Sequence, residues 1–134
     1  MAKQDRLFVP LNTIWYNAFK AGTKKWEVRG VQPGFNTHTV VRGRRVELRK
    51  GYSKEGALWG TITDIILTRH IYDIPNEVKK ELLPIPLSDT KAWDEIDRYN
   101  AKYSEFIVFK IELDKNFQPM IAADLNIPSG MGKV

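Results

Sequence analysis

The residues best suited to chemistry lie together in one short segment, Gly22-Thr23-Lys24-Lys25-Trp26-Glu27-Val28-Arg29, which has the spacing GxKxxExR. If residues 25–29 form a β-strand, Glu27 and Arg29 share one face and can form a lateral ion pair. Lys24 stands at the entrance of that strand, where the turn after Gly22 can direct it toward the same cleft. The three side chains together carry +1, so they can hold an anion while Glu27 orders the two cations.

The same three residues also fit a simpler interpretation. A salt bridge that only closes the junction between a helix and a strand would use the same residue types, because structural ion-pair networks imitate active sites. A guanidinium beside Lys24 would lower the pKa of the lysine, and the Glu27 carboxylate would raise it. The sequence leaves open which of these two effects is larger.

The elements that must position the segment lie on both sides of it. Residues 7–11 predict a strand, and Asn12 or Thr13 can cap a helix that ends at Gly22, with Ile14 and Trp15 on its apolar side. Residues 30–43 are rich in glycine and predict a long loop, and loops of this length often serve a function.

The second half of the chain predicts strands and helices in turn. Residues 44–49 alternate, with Val46 and Leu48 inward and Arg45, Glu47 and Arg49 outward, and residues 58–71 form the longest strand-like stretch. Gly60 marks a bulge or a close backbone approach. Pro75 starts one helix, Ser88 caps another over residues 89–102, and residues 106–113 form a last strand. This order favours an α+β domain with a small, partly closed barrel.

The GxKxxExR segment resembles the ASCH domain family, a branch of the PUA-like barrels. The stretches Gly43-Arg44-Arg45-Val46-Glu47-Leu48-Arg49 and Leu58-Trp59-Gly60-Thr61-Ile62-Thr63-Asp64-Ile65 resemble two strands of that family, and the likeness covers about residues 7–113. It implies a small PUA-like β-barrel of five or six strands flanked by two or three helices. Residues 1–134 would form one such domain, with a loose tail at 128–134. It also implies a cleft lined by Lys24, Glu27 and Arg29 that binds RNA or a nucleotide.

The family resemblance also leaves two kinds of enzyme open. Its members include ribonucleases and amidohydrolases of acetylated cytidine. The amidohydrolases carry Thr where this chain has Glu27, and a downstream Glu for which only Asp89 or Glu81 could substitute here. The missing hydroxyl counts against that activity. In an enzyme, Lys24 would be the activating base or cation, Glu27 the general base and Arg29 the group that stabilises an anion.

The positive charge of the chain is concentrated. The net charge is +5, but residues 24–54 hold nine basic residues against two acidic ones, a local charge of +7. Such clustering is typical of nucleic-acid binding proteins, although charge can also serve to solvate a sheet edge or to meet an acidic protein partner. The predicted nucleic-acid contacts are Lys24, Arg29, Arg42, Arg44, Arg45, Arg49, Lys50, Tyr52 and Lys54.

The aromatic residues near this basic segment have two interpretations. Trp26 and Trp59 lie in predicted strands and are expected in the core. Tyr52, in a predicted turn between Lys50 and Lys54, and Phe35, in the long loop, are candidates for stacking on bases. For Tyr52 a packed turn tyrosine is an equal alternative.

The composition excludes several classes of protein. The 134 residues include no cysteine, which excludes thiolate zinc sites, thiol catalysis and a disulfide scaffold. The only histidines, His38 and His70, have no ligand spacing, so no metal and no cofactor are expected. No apolar run approaches the roughly 18 residues of a membrane helix, and no signal peptide is evident. The sequence therefore predicts a cytoplasmic protein without a membrane partner.

Overall fold

Five strands and three helices follow one another along residues 6–115, the part of the chain that the computed structural model describes. The strands are β1 (Leu7–Leu11), β2 (Trp26–Gly30), β3 (Arg45–Lys50), β4 (Leu58–Thr68) and β5 (Phe106–Leu113). The helices are α1 (Thr13–Ala21), α2 (Asn76–Leu82) and α3 (Thr90–Lys102), and a short 3-10 turn covers Ile71–Asp73. The tail predicted at residues 128–134 lies outside the described residues.

The five strands form one curled sheet in the order β1-β3-β4-β5-β2. Only β1 and β3 pair in parallel, and the other neighbours are antiparallel. The two edge strands approach each other, because the Arg29 guanidinium of β2 donates to the Pro10 carbonyl of β1 at 2.7 Å. The proline suits this edge, since it lacks an N–H to pair. The predicted α+β class, with a small, partly closed barrel of five strands flanked by helices, is confirmed.

Strand β5 is buried on both faces and separates two apolar cores. Ile107, Phe109 and Ile111 pack in a first core with β1, β3 and α1. Phe106 and Val108 pack in a second core with α2 and α3. The alternation of residues 106–113 predicted the first face, and the helices that cover the second face explain why it is apolar as well.

The helix ends follow from their capping residues. The Asn12 side chain accepts from the Trp15 N–H, and Gly22 takes the left-handed conformation with φ 86°. The cap of α3 is Asp89, which accepts from the Ala92 N–H, so the expected cap at Ser88 is wrong by one residue. In α1 the buried side chains are Tyr16 and Phe19, whereas Ile14, expected on the buried side, is 46% exposed.

Two expectations about burial in strands β3 and β4 are wrong. Trp59 is not in either core but half-buried on the opposite face of β4, where the Arg45 guanidinium lies 5.9 Å from its ring centroid. Glu47, expected to point into solvent, is only 5% exposed. Gly60 does mark a close approach, because an added Cβ would lie 2.7 Å from the Glu112 carbonyl oxygen. The irregularity in β4 lies further along, between Ile62 and Asp64.

No helix in residues 6–115 is long and apolar enough to cross a membrane.

Candidate binding cleft

The turn between α1 and β2 brings the three predicted residues to one place. After Gly22 the backbone N–H of Lys24 donates to the Ala18 carbonyl at 3.1 Å, which fixes the start of β2. Along β2, Trp26 and Val28 pack against the second core. The alternation of the strand therefore places Glu27 and Arg29 on the other face, as predicted.

The Lys24 ammonium is buried, and several of the described residues surround it. Its side chain is 2% exposed, and its Nζ donates to the Leu82 carbonyl. The Glu27 Oε1 lies 3.3 Å from Nζ. The rings of Trp15 and Phe19 have their centroids 4.8 and 5.4 Å from the same nitrogen. Two aromatic faces, a carbonyl and a carboxylate thus replace water around this amine.

Of the two effects weighed from the sequence, Glu27 changes the pKa of Lys24 more than Arg29 does, but burial, which the sequence did not reveal, is larger than either. Loss of water around the ammonium lowers the pKa of Lys24 below its ordinary value, and this effect exceeds the attraction of Glu27, which acts in the opposite direction. The nearby Arg29 lowers the pKa further. The cleft therefore contains an amine that gives up its proton more readily than an exposed lysine.

Arg29 is held from three sides. Its Nε donates to the Glu27 Oε2 at 2.8 Å, and its Nη2 donates to the Pro10 carbonyl at 2.7 Å. The ring centroid of Phe35 lies 4.6 Å from the guanidinium carbon. Two of the five N–H groups of the guanidinium are used in these described contacts, which leaves three for a ligand.

The long loop contributes to the site through Phe35. This ring packs under Arg29 and stacks on Phe109 at a centroid distance of 6.4 Å. Phe35 thus supports the guanidinium, and its contact with the core gives it a structural role next to the base-stacking role predicted for it.

The three charged residues form part of the wall of a cleft with a volume of about 370 Å³. The opposite wall comes from α3 and includes Glu95, Ile96 and Tyr99, and the wall also includes Trp15 and Leu83. The Gly30 backbone N–H donates to the Tyr99 hydroxyl at 2.8 Å, which ties α3 to the end of β2. Burial raises the pKa of Tyr99, so this hydroxyl stays protonated at neutral pH.

Glu95 is the acidic residue of the cleft that sequence reasoning missed. It lies beside Asp94 and Asp97 in an acid-rich helix, which the sequence presents as a solvated face. The two downstream acids considered instead have other roles, since Asp89 caps α3 and Glu81 lies 3.9 Å from the Lys25 Nζ. The spacing of Glu95 and Tyr99, four residues apart on one helix face, is the signal that could have found it.

The remaining basic residues do not form one continuous unpaired track. Acids from elsewhere in the chain meet two of them: Arg42 lies 3.0 Å from Asp64, and Arg45 lies 2.7 Å from Asp114. The hydrogen bond to Arg45 holds the pKa of the Asp114 carboxyl below its ordinary value.

The others have different surroundings. Arg44 donates to the backbone carbonyls of Thr39 and Arg6, at 2.6 and 3.3 Å, and Arg49 donates to Glu47 at 2.7 Å. The Lys50 ammonium lies 5.4 Å from the Tyr16 ring centroid. Lys54 is exposed in the turn after β3, and Tyr52, in the same turn, is 77% exposed.

Within residues 6–115, no group of three or more His, Cys, Asp or Glu side chains could hold a metal ion. His38 and His70 are both exposed.

Solved structures resemble this chain over most of its length. An ASCH protein from Zymomonas mobilis superimposes with a TM-score of 0.60 and 13% identity, over 87% of this chain and 71% of that one. The hypothetical protein PH0355 has a TM-score of 0.60 and 18% identity, over 81% of this chain and 99% of that one. The chain has the fold of an ASCH domain. PF0455 from Pyrococcus furiosus shares this fold, with a TM-score of 0.56 and 16% identity, over 82% of this chain and 98% of that one.

At these identities the likeness establishes the ASCH-type fold alone. The ligand has to be inferred from the residues of the cleft. No model of a protein family matches the sequence, and no curated protein matches it either.

Proposed function

We propose that this ASCH-type domain binds RNA or a nucleotide in the cleft between β2 and α3. One observation carries the proposal: a buried carboxylate, Glu27, holds Lys24 and Arg29 together in the wall of a cleft whose other walls are mostly aromatic and apolar and also include Glu95. Arg29 supplies affinity for a phosphate or an acceptor edge of a base, and the aromatic residues supply a surface for the base.

The size of the cleft limits the ligand. A volume of about 370 Å³ is at the lower end of small-molecule pockets, which hold about 300–1,000 Å³. One nucleotide fits such a space, whereas a longer strand has to continue outside it. We therefore expect a mononucleotide, or one nucleotide of an RNA strand, as the occupant.

Arg29 is the main contact in this proposal. Its guanidinium is fixed by Glu27, Pro10 and Phe35 before any ligand arrives, so little side-chain entropy is lost on binding. Lys24 is a positioning residue, because its ammonium points at the Leu82 carbonyl and at Glu27. The Glu27 carboxylate, in turn, aligns Arg29.

Calorimetry with nucleoside monophosphates tests the proposal. Replacing Arg29 by Ala removes a charge-assisted hydrogen bond worth about 1.5–3 kcal/mol, so the dissociation constant should rise about 10-fold or more. Glu27 keeps its contact with Lys24 in this variant, so the fold should persist. The matched control is Arg42→Ala, which removes the same charge from a residue paired with Asp64 outside the cleft. Equal loss of binding in both variants, or no binding by the unmodified protein, would contradict the cleft as the site.

A second candidate function is hydrolysis of RNA or of a modified nucleoside. The observation that favours it is the buried Lys24 amine with its lowered pKa, in a cleft that also holds Glu27, Glu95 and Tyr99. A buried lysine whose pKa is lowered releases its proton more readily than an exposed lysine, which suits it to acid–base chemistry.

Incubation with labelled RNA and with acetylated cytidine separates the two candidates. An enzyme releases product, and the Lys24→Ala and Glu27→Ala variants lose turnover. Binding without any product in both mixtures would leave the binding domain as the function.

A further inference from the structure

The face of the sheet that points away from the first core carries a second cluster of charge and aromatic rings. Register places Phe8 of β1, Glu47 of β3 and Trp59 of β4 side by side in one row. Their neighbours Val9, Val46 and Leu58 point the other way, into the first core. We call this surface the outer shelf; it comprises Arg6, Phe8, Glu47, Arg49, Tyr52 and Trp59.

Glu47 holds two arginines on the outer shelf as Glu27 holds its two cations in the cleft. The Arg49 Nε donates to Oε2 at 2.7 Å, and the Arg6 Nε lies 2.6 Å from Oε1. The Oε1 atom is buried and receives no well-aligned hydrogen bond from the described residues. Among residues 6–115, Arg49 makes its ion pair through Nε, and its terminal amino groups donate no hydrogen bond to these residues.

The arginines of the outer shelf lie against an aromatic pair. The guanidinium carbons of Arg6 and Arg49 are 5.9 and 5.1 Å from the ring centroid of Phe8. The Tyr52 ring packs beside Phe8 with a centroid distance of 5.8 Å and an interplanar angle of 46°. Tyr52 is 77% exposed, so most of its ring surface faces solvent.

Stability alone does not account for this arrangement. A carboxylate that is 5% exposed on the outer face of a sheet lowers stability unless its partners offset the lost hydration, and an apolar residue would pack there at no such cost. Glu47 instead fixes the guanidiniums of Arg6 and Arg49 beside the Phe8 ring. Cations fixed beside exposed aromatic rings are the combination that binds the phosphates and bases of single-stranded nucleic acid.

We propose that the outer shelf binds single-stranded RNA that leaves the cleft, with Tyr52 stacking on a base and Arg49 contacting a phosphate. The proposal rests on the proposed function of the cleft for the direction of the strand. Pro10 joins the two surfaces: it lines the cleft, its carbonyl accepts from Arg29, and it is the register partner of Arg49. Phe8 lies two residues from Pro10 on the same face of β1, which is roughly 7 Å along the strand.

The outer shelf favours RNA over an acidic protein partner because of its rings. An acidic peptide would bind through the charge of Arg6 and Arg49, so its affinity would not change when an aromatic side chain is removed. A nucleic-acid strand uses both the charge and the stacking surface. Tyr52 therefore distinguishes the two partners.

Fluorescence anisotropy with labelled oligouridine of increasing length, together with calorimetry on uridine monophosphate, tests the proposal. The oligonucleotide should bind more tightly than the mononucleotide. Tyr52→Ala should weaken oligonucleotide binding about 5-fold or more, the lower end for loss of one stacked base. It should leave mononucleotide binding unchanged, and Tyr52→Phe should restore the oligonucleotide affinity. The matched control is Tyr72→Ala, which removes another partly exposed tyrosine from outside the cleft and the shelf.

The outcomes separate this proposal from that for the cleft. If Tyr52→Ala leaves oligonucleotide affinity unchanged while mononucleotides still bind, the outer shelf is overturned and the cleft stands. If oligonucleotides bind in a Tyr52-dependent way and mononucleotides do not bind, the shelf stands and the cleft is overturned. Equal affinity for duplex and single-stranded RNA would also overturn stacking on the shelf.

Discussion

Two buried carboxylates in this domain each bridge two cations, and the two clusters differ in the second cation and in what surrounds it. In the cleft, Glu27 joins Arg29 to Lys24, whose side chain is 2% exposed. On the outer shelf, Glu47 joins Arg49 to Arg6, whose side chains are 16% and 29% exposed. Both clusters repeat the same local pattern, a glutamate two residues before an arginine on one strand face.

The difference shows how one local pattern can serve two purposes. In the cleft the second cation can lose its proton, since burial lowers the pKa of Lys24. On the shelf both cations are guanidiniums, which stay charged at every ordinary pH. The charge of the cleft cluster therefore depends on the protonation of the enclosed Lys24, whereas the shelf carries two cations whose charge is constant.

Removing each carboxylate in turn should give the largest difference between the two clusters, measured as loss of stability. Glu27→Gln leaves the enclosed Lys24 without a counterion, and we expect a loss of about 3 kcal/mol in the free energy of unfolding. Glu47→Gln should cost only about 1 kcal/mol, because Arg6 and Arg49 can turn toward water. Urea unfolding of both variants at neutral pH measures the difference, and a larger loss from Glu47→Gln would contradict the contrast.

The pH dependence of stability should differ between the clusters. The folded pKa of Lys24 is lowered from an unfolded value of about 10.4, so between the two values the unfolded chain binds more protons. Stability relative to Lys24→Met should therefore rise with pH in that window, by at most about 1.4 kcal/mol per pH unit. No such trend should appear relative to Arg49→Met. Urea unfolding at a series of pH values below about 10.4 tests this, and parallel curves for the unmodified protein and Lys24→Met would refute it.

The salt dependence of RNA binding should show the smallest effect, and it tests which basic residues contact phosphates. Each phosphate neutralised on a single strand contributes about 0.7 to the slope of log affinity against log salt. Arg49→Gln should reduce the slope for oligouridine by about that amount. Arg42→Ala and Arg45→Ala should leave it unchanged, since Asp64 and Asp114 already neutralise these residues. Equal reductions in all three variants would show that Arg42 and Arg45 contact the RNA as well, as the sequence predicts.

The sequence predicts those features that depend on neighbours in the chain. The cap at Asn12, the end of α1 at Gly22 and the alternation of Trp26 to Arg29 all follow from local patterns. These are effects of one strand or one helix. The glycine at position 60 also predicts a close backbone approach, although the residue that approaches it, Glu112, is identified only by the fold.

Features that depend on distant contacts are not visible in the sequence. The partners of Arg42 and Arg45 are 22 and 69 residues away, so counting charge along the chain overstates the unpaired positive surface. The burial of Glu47 requires Arg6 and Arg49 at once, and the placement of Glu95 in the cleft requires α3 to dock beside β2. The pKa of Lys24 depends on Trp15, Phe19 and Leu82, which enclose it only in the fold.

A crystal structure with a bound nucleoside monophosphate tests the central claim most directly. We expect a ligand in the cleft, with its phosphate or a base acceptor on the remaining N–H groups of Arg29 and its base against Trp15 or Tyr99. A ligand bound at full occupancy elsewhere, with the cleft holding only water, would contradict nucleotide binding in the cleft.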